Sequence, residues 1–130
     1  MTSRRASWIW SEESVEGLRP DDHADPFRIR LFRKRFCLSK REPAPAIVNV
    51  SADTWYQLYC NGVLVGEGPA KGDVHHHFYD TYDLSDHLLE GDNVLAARVV
   101  DLSPVRSNPP TLGAQTSFLS YRGGFMLESA

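Results

Sequence analysis

Three consecutive histidines, His75, His76 and His77, are the first side chains in this sequence to suggest chemistry, because imidazole is the commonest metal ligand. Neighbouring side chains on an extended chain point to opposite faces, so only His75 and His77 could act together. A zinc centre takes three or four protein ligands, and no partner stands at a helpful spacing. No metal is expected there. Asp80 and Asp83 carry the oxygen ligands that calcium takes, which makes calcium near either the alternative; the reading is of surface carboxylates, and no cofactor is expected.

Hydrolytic chemistry fares no better. The 17 acidic residues are enough for a pair of catalytic carboxylates, yet none falls in a recognisable acid/base pattern. The sequence has no Gly-x-Ser-x-Gly elbow, no phosphate loop and no His-Glu-x-x-His. Catalysis by this chain alone is not expected.

The elements that position these residues read as strands. Residues 27–38 (Phe-Arg-Ile-Arg-Leu-Phe-Arg-Lys-Arg-Phe-Cys-Leu) alternate bulky and basic side chains, the period of a β-strand. Their basic stripe is read as a solvated face whose charges protect a sheet edge. Residues 46–53 alternate with Val48, Val50 and Ala52 on one side. Residues 55–60 place Tyr56, Leu58 and Cys60 inward and Trp55, Gln57 and Tyr59 outward. Asn61-Gly62 is the strongest short hairpin signal available, and Val63-Leu64-Val65 returns from it, with Gly66-Glu67-Gly68-Pro69 ending the strand.

Residues 71–77 read as a polar loop, 78–82 as extended, and 83–89 as one short helical turn, with Asp83 capping it through backbone amides. Glu90-Gly91-Asp92-Asn93 reads as a tight turn. Residues 94–100 are apolar on both faces except for Arg98, which predicts a strand covered on both sides. Residues 101–112, with Pro104, Pro109 and Pro110, predict a loop, and residues 116–127 two short strands broken by Arg122-Gly123-Gly124. Residues 1–26 read as an irregular lead-in that Trp8 and Trp10 clamp onto a sandwich formed by residues 27–130. About seven strands punctuated by Gly, Pro and Asn turns indicate an all-β antiparallel sandwich or jelly roll.

A chain of 130 residues with 14 basic and 17 acidic side chains, formally −3, suits one domain. Its mild acidity argues against nucleic acid, whose phosphates select basic faces. No apolar run approaches the ~20 residues that cross a bilayer, so no membrane partner is expected. Trp8-Ile9-Trp10 is followed at once by Ser11-Glu12-Glu13, which leaves no leader core; a cytoplasmic location is the expectation. Cys37 and Cys60 fall on opposite faces of their strands, which predicts two free thiols and no disulfide.

Several strings taken in order are more specific. Ala6-Ser7-Trp8-Ile9-Trp10 leads to Phe32-Arg33-Lys34-Arg35-Phe36, then Tyr56-Gln57-Leu58-Tyr59-Cys60-Asn61-Gly62 and Val65-Gly66-Glu67-Gly68-Pro69. Tyr79-Asp80-Thr81-Tyr82-Asp83-Leu84 and Leu88-Leu89-Glu90-Gly91-Asp92-Asn93-Val94-Leu95-Ala96 follow, and Arg122-Gly123-Gly124-Phe125 closes the series. The series resembles the N-terminal β-sandwich domain of bacterial α-L-rhamnosidase-like glycoside hydrolases. The resemblance implies a galactose-binding-like fold and an accessory role, in substrate recognition or in docking a catalytic domain. It implies L-rhamnose-containing or related glycans and the parent's catalytic domain as partners, and places hydrolysis in a separate helical barrel. Members of that family run on for several hundred residues, so the chain is expected to be a fragment of a larger enzyme, lacking its C-terminal end and open to self-association through a bare sheet edge.

Sugar recognition needs an aromatic surface for the pyranose face and polar groups for its hydroxyls. The candidates are Trp55, Tyr59, Tyr79 and Tyr82 for the first, and Asn61, Asp80 and Arg122, with Asp53, for the second. Trp55 and Tyr59, opposite the core set, are the better platform. The plainer alternative has them packed beneath the N-terminal segment or against another domain. Asn61 is read first as a turn residue with positive φ.

Overall fold

The backbone φ is 50° at Asn61 and 83° at Gly62. Two positive values in succession make this a type I′ turn, the one whose twist matches the strands it joins. In the computed structural model, which describes residues 6–11, 28–40, 44–70, 78–101 and 123–129, the turn links β3 (Trp55–Cys60) to β4 (Val63–Gly68). The other strands among the described residues are β1 (Arg28–Leu38), β2 (Ile47–Ala52), β5 (Asp80–Asp83), β6 (Gly91–Asp101) and β7 (Phe125–Ser129). All pair antiparallel, in a four-stranded sheet ordered β1-β6-β3-β4 and a three-stranded sheet ordered β5-β2-β7. The chain folds as an antiparallel β-sandwich.

Strand alternation supplies the core between the sheets. Val48, Val50 and Ala52 of β2 face Tyr56, Leu58 and Cys60 of β3, with Ala97 and Val99 of β6 and Phe125 of β7, all buried. Phe125 stacks on Phe32 at 5.1 Å and meets the edge of Tyr56 at 6.3 Å. The two cysteines are free, Cys37 exposed and Cys60 buried, as their opposite faces predict. Burial raises the Cys60 thiol pKa, so this sulfur behaves as core.

The basic stripe of β1 is not wholly a solvated face. Arg28 and Arg30 lie on the same side of β1 as Phe32, opposite Asp101 and Val99 of β6. The reason is the adjacent pair Leu31-Phe32, where the bulky set changes face, so the inward parity before it falls on arginines. Arg28 pairs with the buried Asp101, its Nε donating to Oδ2 at 2.9 Å. Both guanidinium groups stand over Trp10, at 5.9 and 5.8 Å, and Arg30 also donates to Ser11 Oγ. Leu31 consequently turns outward, 78% exposed.

Several boundaries and pairings also differ from expectation. Gly66-Glu67-Gly68 continues β4 instead of ending it, paired with Leu58, Gln57 and Tyr56. Glycine is needed there because a Cβ at 66 would enter the Tyr82 ring and one at 68 would meet Asp80 Oδ2. A bulge between Leu58 and Tyr59 leaves Val65 out of the ladder, packed on the core. Residues 91–93 belong to β6, paired with 36–38 of β1, because the turn before them is held by the Asn93 side chain. β6 is central in its sheet, yet Val94, Ala96 and Val100 on its outer face are only half-buried. The single turn expected over 83–89 forms at 84–88, His87 and Leu88 N–H both donating to Leu84 O, while Asp83 closes β5. Asp101, expected to open the 101–112 loop, instead ends β6 opposite Arg28; the rest of that loop, the loop at 71–77, the strand expected from 116 and most of the lead-in lie outside the described residues.

Candidate functional site

The outer face of the four-stranded sheet is built in rows by the registers of β1, β6, β3 and β4. One row is Ile29, Val100 and Trp55; the next is Leu31, Arg98, Gln57 and Glu67; the third is Arg33, Ala96, Tyr59 and Leu64. Adjacent strands lie about 4.8 Å apart, and Trp55 and Tyr59, four residues apart on one strand, are separated by about 13 Å. A polar row is thus bracketed by an aromatic residue on each side. Tyr59 OH donates to Gln57 Oε1 at 3.2 Å, and Gln57 Nε2 donates to Glu67 Oε2 at 3.3 Å. Arg98 and Glu67 are exposed, while Trp55, Gln57 and Tyr59 are half-buried. Chemically this face offers flat apolar surface for C–H groups, flanking a guanidinium, an amide and a carboxylate for hydroxyls.

The other candidates lie elsewhere. Asp80 and Tyr82 point inward from β5 and meet Tyr56, read from the sequence as core only. Tyr56 OH donates to Asp80 Oδ2 at 2.6 Å and lies 3.1 Å from Tyr82 OH, which reaches Glu67 O at 3.4 Å. These groups close the sandwich between its β4 and β5 edges. Burial above all, then the hydrogen bonds to Asp80 and Tyr82, drives the Tyr56 phenol far above its ordinary range, so it stays a neutral donor. Tyr79, on the opposite parity of the chain, is 58% exposed beside Phe78 and joins neither group.

Asn61 stands at the hairpin end, with both ends of its amide engaged. Its Nδ2 donates to His87 O and to Asn93 Oδ1, each at 2.8 Å, and its Oδ1 accepts from Val94 N at 2.8 Å. Asp53 is buried at the β2–β3 corner, its N–H donating to Gly124 O. Arg122 and the three histidines lie outside the described residues. Asp83 faces away from Asp80, accepting from Ser85 N, Ser85 Oγ and Ala46 N. Among the described residues no group of three or more His, Cys, Asp and Glu gathers as a metal site.

Trp55 and Tyr59 share one sheet face, as alternation predicts, and beside them stand Arg98 and Glu67, which were not among the sequence candidates. Arg98 and Glu67 are far from Trp55 in sequence, and only strand order brings them beside it. One signal was present. An Asn61-Gly62 type I′ turn fixes the hairpin register, and counting back through it, with one residue bulged, places Glu67 opposite Gln57.

Fold and site together define a β-sandwich domain that presents an aromatic and polar sheet face. No family model matches the chain, and no curated protein matches it. Solved structures do. Over 98% of its length the chain superposes on part of the GH78 family rhamnosidase of Bacillus sp. GL1, with a TM-score of 0.71 and 28% identity, and it covers 12% of that protein. The α-L-rhamnosidase of Dictyoglomus thermophilum matches 76% of the chain at a TM-score of 0.56 and 22% identity. That of Streptomyces avermitilis, solved with L-rhamnose, matches 94% at 0.55 and 20%; the chain spans 10% of each of these two proteins. The first shares sequence as well as fold, and the others share fold. The chain is similar to a domain of GH78-type α-L-rhamnosidases.

Proposed function

We propose that this chain is an accessory, non-catalytic domain of an α-L-rhamnosidase-like glycoside hydrolase, and that its outer β1-β6-β3-β4 face receives glycan. The observation that carries the reading is the row Arg98, Gln57 and Glu67 set between Trp55 and Tyr59. Stacking on the aromatic pair and hydrogen bonding to the polar row are the two interactions that saccharides use. The similarity to a rhamnosidase domain supports the parent enzyme class and makes L-rhamnose-containing or related glycans the first ligands to try.

A second reading is favoured by Leu31, 78% exposed, and Leu64, 48% exposed, at the two margins of the same face. Apolar margins of this kind also suit packing against a catalytic domain. Titration of the chain with L-rhamnose, followed by amide NMR, separates the two. Shifts centred on Trp55, Gln57, Tyr59 and Arg98 support glycan binding. A spectrum unchanged at millimolar sugar leaves packing as the role.

A further inference from the structure

We infer that the outer face selects anionic glycans, those carrying uronate carboxylates, over neutral ones; the inference rests on the glycan-platform reading above. Arg98, Arg33 and Arg35 are all exposed. They form a diagonal leading from Gln57 across β6 to β1, with only Ala96 and Val94 opposite the last two on β6. Successive members stand about 7–8 Å apart, from the strand spacing and rise. No acidic residue interrupts the line. Glu67 sits on the far side of Gln57, which already donates to it, and Asp92 lies beyond Arg35 at the end of the face.

The chain as a whole is acidic, at −3, so this line runs against its overall charge. Edge protection accounts for charges on β1, an edge strand, but not for Arg98, which is on the central strand β6. Nor does it suit Leu31, which leaves the edge apolar beside them. Guanidinium groups bind carboxylates through paired, charge-assisted hydrogen bonds, roughly twice as strong as neutral ones. A line of three beginning at an aromatic platform suits a saccharide with repeated carboxylates, its first ring over Trp55 or Tyr59.

The test compares a galacturonic acid trisaccharide with its methyl-esterified form, which has the same skeleton and no charge, by amide NMR titration of the full chain. The acid is expected to bind at least about tenfold more tightly, the equivalent of one charge-assisted hydrogen bond, and to weaken as salt rises. Arg98→Gln is expected to bring the two affinities within about twofold of each other, chiefly by weakening the acid. The doubly substituted Arg33→Gln/Arg35→Gln chain provides the same comparison through different residues. Equal binding of acid and ester overturns the anionic preference and leaves the platform reading standing. No binding of the acid, the ester or L-rhamnose overturns both. Dextran sulfate binding as tightly as the trisaccharide, or shifts centred away from this face, overturns selectivity for glycan carboxylates.

Discussion

Asn61 and Asn93, thirty-two residues apart, share a hydrogen bond of 2.8 Å from the Asn61 amide nitrogen to Asn93 Oδ1. Asn93 also accepts from Leu89 N and donates to the carbonyls of Leu89 and Gly91. Two amides thereby fasten the β3–β4 hairpin, the 84–90 turn and the start of β6 to one another. The hairpin carries Tyr59 and Glu67, and β6 carries Arg98, so this pair fixes the register on which the outer face depends. That is a positioning role.

Asn93→Leu fills the site with similar volume but strands Leu89 N–H and two carbonyls. Each buried unsatisfied group costs about 1–3 kcal/mol, and some of these ends reach water, so a loss of about 2–4 kcal/mol is expected in urea unfolding at constant m. Asn61→Gly keeps the positive φ and removes only the side-chain bonds. A cost near zero for Asn61→Gly would show that the turn geometry, not the amide pair, holds this end together.

Gly66 lies under the Tyr82 ring, in space that a methyl group would need. Gly66→Ala should therefore destabilise by about 1–3 kcal/mol, the usual range for overpacking. In a Tyr82→Ala background the same change should cost far less, since the obstacle has gone. Equal costs in the two backgrounds would point away from the ring and toward the β4 backbone.

Alkaline pH should loosen the join between the sheets. The folded-state pKa of Tyr56 is raised, chiefly by burial and then by its bond to Asp80, above the unfolded value near 10. A raised pKa means that the native state holds this proton more tightly. Its contribution is complete below about pH 10 and is lost as pH climbs beyond. Thermal unfolding followed from pH 8 to 11 should show a falling Tm, with a shallower fall in Tyr56→Phe.

Acid acts through a different residue. The Ser85 hydroxyl first, then the Ser85 and Ala46 amides, hold the exposed Asp83 carboxyl below its usual range. A lowered pKa supports the fold above the unfolded value, about 3.9, and the support is lost as pH drops through the folded one. Ser85→Ala should move the Asp83 carboxyl titration upward, read from its side-chain carbon shift. An unmoved titration would assign the effect to the amides.

Much of this architecture was legible in the residues because period-2 alternation and an Asn-Gly turn report local geometry directly. β3 is the clearest case, with Tyr56, Leu58 and Cys60 all buried. Legibility failed where a long-range partner decides. Arg28 and Arg30 look like solvent-facing charges until Asp101 and Trp10 arrive from elsewhere in the chain. Gly66 and Gly68 look like a strand end until Tyr82 and Asp80 lie across them. Of the candidate site, the aromatic half came from alternation along one strand, whereas Arg98 and Glu67 came from neighbouring strands. Asp80 and Tyr82, grouped in sequence with Tyr79, parted from it by parity and turned into the core edge.

Trp10 offers the sharpest test of how the N-terminal segment is held. Ile9 pairs with Phe125 through two backbone hydrogen bonds, and the Trp10 ring sits between Arg28, Arg30 and Phe32, covering Gly123. Its indole Nε1 is buried with no hydrogen-bond partner among the described residues. Trp10→Phe removes that unmatched donor and keeps an aromatic face under the guanidinium groups, so the net change should stay within about 1 kcal/mol. Trp10→Ala removes the ring altogether and should cost about 2–4 kcal/mol, in the range of large-to-small aromatic truncations. It should also speed hydrogen exchange at the Ile9 amide, which donates to Phe125 O, well before the β3 amides respond. Similar losses for Phe and Ala would mean that the indole N–H finds an acceptor in solution, and the segment would then be held by a hydrogen bond instead of by ring packing.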